Sequence, residues 1–278
     1  MSRPARRHPW RLLAGLLLVG LLLSPPAALA QSTEARIYKD IVIQAIGEPN
    51  PETRHGYMAH QFVVTNRSKS KAHTVTLTVP GNSRSWASMG PISRSAQVAP
   101  ETTVTMDLLQ PSLKIQGEDA VVHIDGKKQD RPIPLGIDLR QHGMESDDYY
   151  YSRSSRDNAH VLTSPGMKEA TRSASEPNIR FIPWDVSVHA WSNSWLAYSR
   201  FDGVMVTAEE ITSMRPSQQE AMFRYAECGG NLMVVGEWTP PAEWAELDRA
   251  ISDDVIPRAS PMVSYTAILG RCYVSTID

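Results

Sequence analysis

Two cysteines, Cys228 and Cys272, are all the thiols that 278 residues carry. With no histidine pair near either, they cannot make a four-ligand structural zinc set. No Gly-rich phosphate loop, HExxH, GxSxG or calcium-loop pattern occurs, and no histidine follows His189. Charge excess is missing too. The chain has 28 basic against 30 acidic residues, which gives no electrostatic ground for binding nucleic acid or anionic lipid. No metal and no cofactor is expected.

What is there begins with an address. Arg3, Arg6, Arg7 and Arg11 form a positive segment, and Leu12 to Leu23 an apolar run. Ser24-Pro25-Pro26 breaks that run, and Ala28-Leu29-Ala30 supplies the small residues a signal peptidase needs before Gln31. The run is about a dozen residues, short of the ~20 that cross a bilayer as a helix. Residues 1–30 therefore read as a cleavable signal peptide, and export to the periplasm or beyond is expected. Membrane contact is expected only through that segment where it stays uncleaved. In an oxidising compartment Cys228 and Cys272 can pair, or stay as two separate thiols.

Residues 31–139 read as strands. "RIYKDIVIQAI", "GYMAHQFVVTN", "HTVTLTV", "TTVTMDLL" and "DAVVHID" are short, rich in Val, Ile and Thr, and broken by Asn-Pro, Pro-Gly-Asn and Asp-Gly turns. "RPIPLGIDL" carries two prolines, which suits a sheet edge. Six or seven strands without a helix argue for an all-β sandwich of immunoglobulin-like type. The "VVTNRSKSKAHTVTLTVPG" stretch resembles the B–C hairpin region of such domains in secreted bacterial proteins, although the Cys-Trp-Cys core of antibody domains is absent. Asn66-Arg67-Ser68 fits a glycosylation sequon, discounted because the signal looks bacterial. His55 and His60 are five apart, which sends them to opposite faces of a regular strand and weakens a metal reading.

Residues 140–157, "RQHGMESDDYYYSRSSRD", are polar and tyrosine-rich and read as a solvated linker; "TRSASEP" reads as a second polar loop. From 158 to 278 the pattern changes. "AHVLTSPG", "IRFIPWDV", "FDGVMVTAEEI" and "NLMVV" are candidate strands. Pro216 opens a helix over "PSQQEAMFRYAEC", as proline suits a first helical position. Met222, Tyr225 and Ala226 share its apolar face, and Gly229-Gly230 closes it. Strand, helix and strand make a βαβ unit, so an α/β domain with a parallel sheet is expected. Trp191, Trp195 and Tyr198 fall at helical spacing and read as a core stripe, with a carbohydrate-stacking surface as the alternative.

Cys228 then sits in the last turn of that helix. A thiolate is stabilised by a helix N-terminus or a cation, and the C-terminus carries the opposite partial charge. The reading is a small structural residue rather than a nucleophile.

Phe201-Asp202-Gly203-Val204-Met205-Val206-Thr207, the helix ending in Gly229-Gly230, and Asn231-Leu232-Met233-Val234-Val235-Gly236 together resemble the class I glutamine amidotransferase-like fold, a flavodoxin-like α/β arrangement, in its exported bacterial variant. Tyr265 to Ser275, "YTAILGRCYVS", is similar to a later strand of that fold. The resemblance implies a Gly-x-Cys-x-Gly elbow after "LMVV" and a downstream His-x-Glu. Here the bend reads Gly236-Glu237-Trp238-Thr239-Pro240. Without nucleophile and base, glutamine hydrolysis has no route to its thioester.

Ligands of parallel α/β sheets gather outside the C-terminal strand ends. The residues expected there are Ser164, Gly166, Thr207, Glu209, Gly236, Glu237 and Trp238. Ser164, Thr207, Gly236, Glu237 and Trp238 are the ligand-binding candidates. Glu209 and Glu237 can form an acid–base pair, with His189 as a further base, or each carboxylate can cap a helix or meet solvent. The leading expectation is an exported, non-enzymatic cell-envelope protein with a binding or assembly role and a protein partner. The alternatives are an envelope hydrolase using Glu237, Glu209 or His189, and a carbohydrate-binding module using the tryptophans. The chain stops at Asp278, just after an expected strand, so its second domain reads as truncated.

Overall fold

The computed structural model describes residues 35–46, 55–84, 87–111, 119–135, 158–172, 174, 177–251 and 262–275, with the backbone only at 82–84, 87–89 and 248–251. The expected signal peptide and the 140–157 linker lie outside the described residues. So do parts of the "RPIPLGIDL" and "TRSASEP" runs.

The first half is built of β1 (Arg36–Tyr38), β2 (Ile41–Ile46), β3 (Tyr57–Asn66), β4 (His73–Val79), β5 (Asn82–Arg84), β6 (Ala87–Met89), β7 (Ile92–Val98), β8 (Thr103–Pro111), β9 (Asp119–Ile124), β10 (Lys127–Lys128) and β11 (Ile133–Pro134). They form two main antiparallel sheets, β1-β2-β3-β8 and β10-β9-β4-β7, with β11 on β9 and β5–β6 as a separate ribbon. Ile43, Phe62, Val64, Met106 and Leu108 of the first sheet and Val75, Leu77, Val98 and Val122 of the second share one apolar cluster, an arrangement compatible with a β-sandwich.

Two stretches pair otherwise than expected. "RIYKDIVIQAI" is a hairpin rather than one strand: Lys39 takes a positive φ of 55°, and Tyr38 faces Ile41 across the turn. The 66–73 stretch is not a hairpin, because β3 and β4 belong to opposite sheets. Asn66 fastens that crossing. Its amide donates to the Lys71 and Val98 carbonyls at 2.8 and 3.0 Å, and its oxygen accepts from Ser68 N at 2.9 Å. Asn66 is fully buried, so the sequon offers no accessible amide. β7 went unread in the sequence because "ISRSAQV" is mostly polar; its Ser93 and Ser95 hydroxyls pair with Thr78 and Thr76 of β4 at 2.8 and 2.7 Å.

The second half contains β12 (Ala159–Thr163), α1 (Lys168–Arg172), β13 (Ile179–Pro183), β14 (Gly203–Thr207), α2 (Ala208–Ser213), α3 (Pro216–Glu227), β15 (Asn231–Val235), α4 (Ala242–Ile251), β16 (Met262–Ala267) and β17 (Gly270–Ser275). One six-stranded sheet runs β13-β12-β14-β15-β17-β16. Five strands are parallel, and β16 runs antiparallel to β17 at the edge. The sheet is therefore mixed, not parallel. "YTAILGRCYVS" is not one strand, since Ile268, at φ 57°, and Leu269 turn the chain between β16 and β17.

α3 follows the sequence closely. Pro216 is its first residue, and Met222, Tyr225 and Ala226 are buried. Gly229 N donates to Ala226 O and Gly230 N to Tyr225 O, with Gly229 at φ 108°. This is the double closing bond of a glycine-terminated helix. The Trp191–Tyr198 stretch is not an α-helix, and two single-turn 3₁₀ helices, Val188–Ala190 and Trp195–Ala197, replace it. Side chains take several of the carbonyls around it. The buried Gln218 amide donates to Val188 O and Trp191 O at 3.0 and 2.8 Å, and Tyr198 OH donates to Ser192 O at 2.6 Å.

The β1-β2-β3-β8 sheet is covered on both faces. Ala59, Val63 and Leu109, on the face away from the sandwich core, pack against the apolar cluster of the second half.

Candidate functional site

Among the described residues, polar side chains meet at the C-terminal strand ends of the mixed sheet and in the seam between the two halves, as well as around Asp125, which takes Lys71 and His73 at 3.0 and 2.9 Å.

At the strand ends, β12 and β14 are parallel neighbours, and β13 lies beyond β12. The chain thus leaves β12 outward to β13 and then returns to β14, so strand order reverses between β12 and β14. Loops leaving such a pair diverge and open a crevice. Ser164 and Gly166 follow β12, and Thr207 ends β14. The expected residues Ser164, Gly166 and Thr207 do converge, and they converge on Glu210. Its Oε1 accepts from Gly166 N at 2.8 Å. Its Oε2 accepts from Thr207 N at 3.0 Å, from Thr207 Oγ1 at 3.1 Å, and from the Ser164 hydroxyl. Thr207 Oγ1 accepts in turn from Glu210 N at 3.2 Å, closing a reciprocal cap on α2. A Cβ on Gly166 would stand 2.9 Å from the Glu210 carboxyl carbon and 2.8 Å from Thr207 Cγ2, so any side chain there would push the carboxylate and the Thr207 methyl aside. Thr207-Ala208-Glu209-Glu210 carries the T-x-x-E spacing of a capping box, the signal that could have singled out Glu210.

The other expected residues do not join them. Glu209, Glu237 and His189 are each exposed, and no hydrogen bond or ion pair joins any two of them among the described residues. Gly236 bends after β15 at φ 106°, with its N–H on Ser275 O at 2.9 Å and its Cβ position 3.1 Å from Ala208 Cβ. Trp238 is half-buried against Phe223, ring centres 6.1 Å apart.

The cysteines are unpaired, the second of the two alternatives the sequence left open. Cys228 caps the C-terminal end of α3 and is exposed. Cys272 lies inside β17 opposite Leu232 and is fully buried; burial pushes its thiol up to about 12. Cys228 precedes β15 and the Gly236 bend follows it, so the length of a five-residue strand, roughly 16 Å, separates them.

The tryptophans form no exposed strip. Trp191 is 1 % exposed and stacks on Trp184 with centroids 5.4 Å apart. Its indole N–H donates to Val186 O at 3.0 Å. Tyr198 and Tyr225 continue the stack inward, with burial pushing both phenols above their ordinary range.

In the seam, Asp107 of β8 accepts from the Ser192 hydroxyl at 2.5 Å. Burial raises its carboxyl, opposed by that hydrogen bond, the Arg94 charge and the Gln61 amide. Gln61, Ser192, Tyr198 and Arg200 line a cavity of about 20 Å³ here, room for about one water. At the seam's rim His55 sets Nδ1 against Ser199 O at 2.8 Å and Nε2 against Asp202 Oδ1 at 3.2 Å. His60 is buried on Gln110 Oε1 at 2.8 Å. Each histidine thus has its own separate partner, and sequence reading missed the seam because its residues are 85 or more positions apart.

No family model and no curated protein matches this chain. Several solved structures are similar at low level. A Bacteroides fragilis protein described as a beta-galactosidase shares 14 % identity over 80 % of this chain and 36 % of its own, with a TM-score of 0.24. A beta-glucuronidase of glycoside hydrolase family 2 shares 10 % identity over 79 % and 22 %, with a TM-score of 0.19. A Bacteroides uniformis beta-glucuronidase shares 8 % identity over 76 % and 35 %, with a TM-score of 0.21. The chain thus spans 22–36 % of the length of these proteins. At such scores the likeness carries no argument.

Proposed function

We propose that this chain is an exported, non-enzymatic protein of the bacterial cell envelope that works by binding a protein partner or by assembly. On this reading its second half is a flavodoxin-like, amidotransferase-like layer without its nucleophile and base, and its first half an immunoglobulin-like spacer. The strand order β13-β12-β14-β15 supports the flavodoxin-like assignment.

The observation that carries the reading is where the thiols stand. A cysteine amidotransferase needs its sulfur at the bend after β15, beside a histidine. That bend offers Gly236, Glu237 and Trp238. Cys228 stands before β15 and Cys272 inside the core.

The test is capture by crosslinking in intact envelope with the full chain expressed. The expected outcome is a chain that begins at Gln31 and crosslinks reproducibly to one envelope protein. A full-length chain recovered from the cytoplasm, or crosslinks spread evenly over abundant proteins, would overturn it.

A further inference from the structure

We propose that the second face of the six-stranded sheet, over β14, β15 and β17, is a docking surface for one amphipathic helix of a partner protein.

Side chains alternate across a sheet, and the two faces here are covered unequally. Val204, Val206, Leu232, Val234, Cys272 and Val274 point one way and are 0–4 % exposed. Ile211 of α2, Met222 of α3 and Trp244 of α4 join them in one apolar cluster, so these three helices lie on that side. The residues between them point the other way. Met205 pairs with Met233, and Met233 with Tyr273, in one row across three strands. Val235, two residues beyond Met233, shares their face. These four side chains are only half-buried and belong to neither apolar cluster.

Topology accounts for the difference. Right-handed crossovers that move in opposite directions along a sheet leave their helices on opposite faces. From β12 the chain moves one way to β13, and from β14 the other way to β15. Among the described helices α1 alone therefore belongs to the second face. It has five residues, about 7.5 Å of helix, and it follows β12. Parallel strands ordinarily carry helices over both faces.

The dimensions choose the occupant. Three strands are about 14 Å across, and five residues of strand about 16 Å long. That is roughly 230 Å² of sheet, far below the ~800 Å² per partner of a stable dimer, which argues against a second copy. It matches a single helix, about 10–12 Å in diameter and about three turns long. Two methionines can adapt to the ridges of such a helix. The row of Met205, Met233 and Tyr273 holds no charge, so the helix must present an apolar stripe at i, i+3, i+4 and i+7. The inference rests on the binding role proposed above and names the chemistry of the partner.

The test uses the chain from Gln31 onward, which is one compact unit. Its probes are two peptides of leucine, lysine and glutamate, each about 18 residues, long enough to form a helix. One carries leucine at the stripe spacing; the other has the same composition scrambled. The striped peptide is expected to bind with a micromolar dissociation constant, to gain helical circular dichroism, and to slow hydrogen exchange in β14, β15 and β17. The scrambled peptide should bind about tenfold more weakly or worse, and Met233→Lys should cost the striped peptide about tenfold or more, since it sets a charge against the stripe. Gln97→Lys, on the exposed side of β7, should leave binding unchanged. Should Met233→Lys not fold, Met205→Gln takes its place, with a smaller loss. Absence of binding, equal binding of the two peptides, or no effect of a folded variant of this face would each overturn the proposal. So would a dimer in sedimentation that Met233→Lys dissolves, which gives the face to a second copy. Peptide binding that appears only when residues 140–157 are deleted would also overturn it, since the chain's own linker would then hold the face. The crosslinking test asks whether a partner exists, and this one whether the face takes a helix, so either can fail alone.

Discussion

The seam and the strand-end crevice each take a carboxylate out of open solvent, and they satisfy it differently. Asp107 sits 9 % exposed on a sheet face and takes one hydroxyl bond, from Ser192, with Arg94 and Gln61 near. Glu210 sits at a rim and meets four donors from two loops. The seam carboxylate is tolerated at a cost that burial sets; the crevice carboxylate is the hub on which its loops close. Removing charge at the seam should therefore relieve the fold, and removing it at the crevice should loosen it.

The largest expected effect tests how tight the seam is. Gly56 has φ +67°, and a Cβ there would stand 2.3 Å from the Ser199 carbonyl oxygen. Gly56→Ala is expected to destabilise the chain by about 3 kcal/mol, read by urea unfolding, since clash and backbone strain add. A change under about 0.5 kcal/mol would mean that the seam is loose in solution.

Next comes the contrast itself. Glu210→Ala is expected to lower stability by about 2 kcal/mol, because it leaves several donors unpaired. In hydrogen exchange the amides of Gly166 and Thr207 should lose protection in this variant while the seam amides keep theirs.

Asp107→Asn should go the other way, and with a pH signature. Burial raises the folded value of Asp107 above its ordinary 3.8. The raised group costs nothing below the unfolded value, and the cost appears as pH climbs through the folded one. The variant should therefore gain on the parent as pH rises from about 4 to 7, in urea unfolding at each pH. A difference that is flat with pH, or that favours the parent more at high pH, would contradict the account of the seam.

The smallest effect concerns the sulfur. Cys228→Ser, exposed beyond the end of α3, should move stability by less than about 0.5 kcal/mol.

Legibility followed locality. The α3 helix with Pro216 at its start and Gly229-Gly230 at its end, and the strands β4, β12, β14 and β15, were readable because each is decided by residues within a few positions. The turn at Lys39 and the one at Ile268 were not, because neither residue is a usual left-handed former. The Trp191–Tyr198 helix failed partly for a distant reason: Gln218 takes the Val188 and Trp191 carbonyls, and the chain folds into 3₁₀ turns. At the site, Ser164, Gly166 and Thr207 were placed by the strand-end rule. Glu210 was visible only as a cap, and its hold on the segment after β12 depends on two strands becoming neighbours. The Asp107–Ser192 contact could not be read at all, since nothing in alternation tells what covers a strand's polar face.

The most direct measurement of the central claim is turnover by the chain from Gln31 onward, assayed for glutamine hydrolysis and against a panel of ester, amide and glycoside substrates, beside Glu237→Gln. Both proteins are expected to show the same background rate on every substrate. A rate above background that vanishes with Glu237→Gln would contradict it and put the hydrolytic reading in its place.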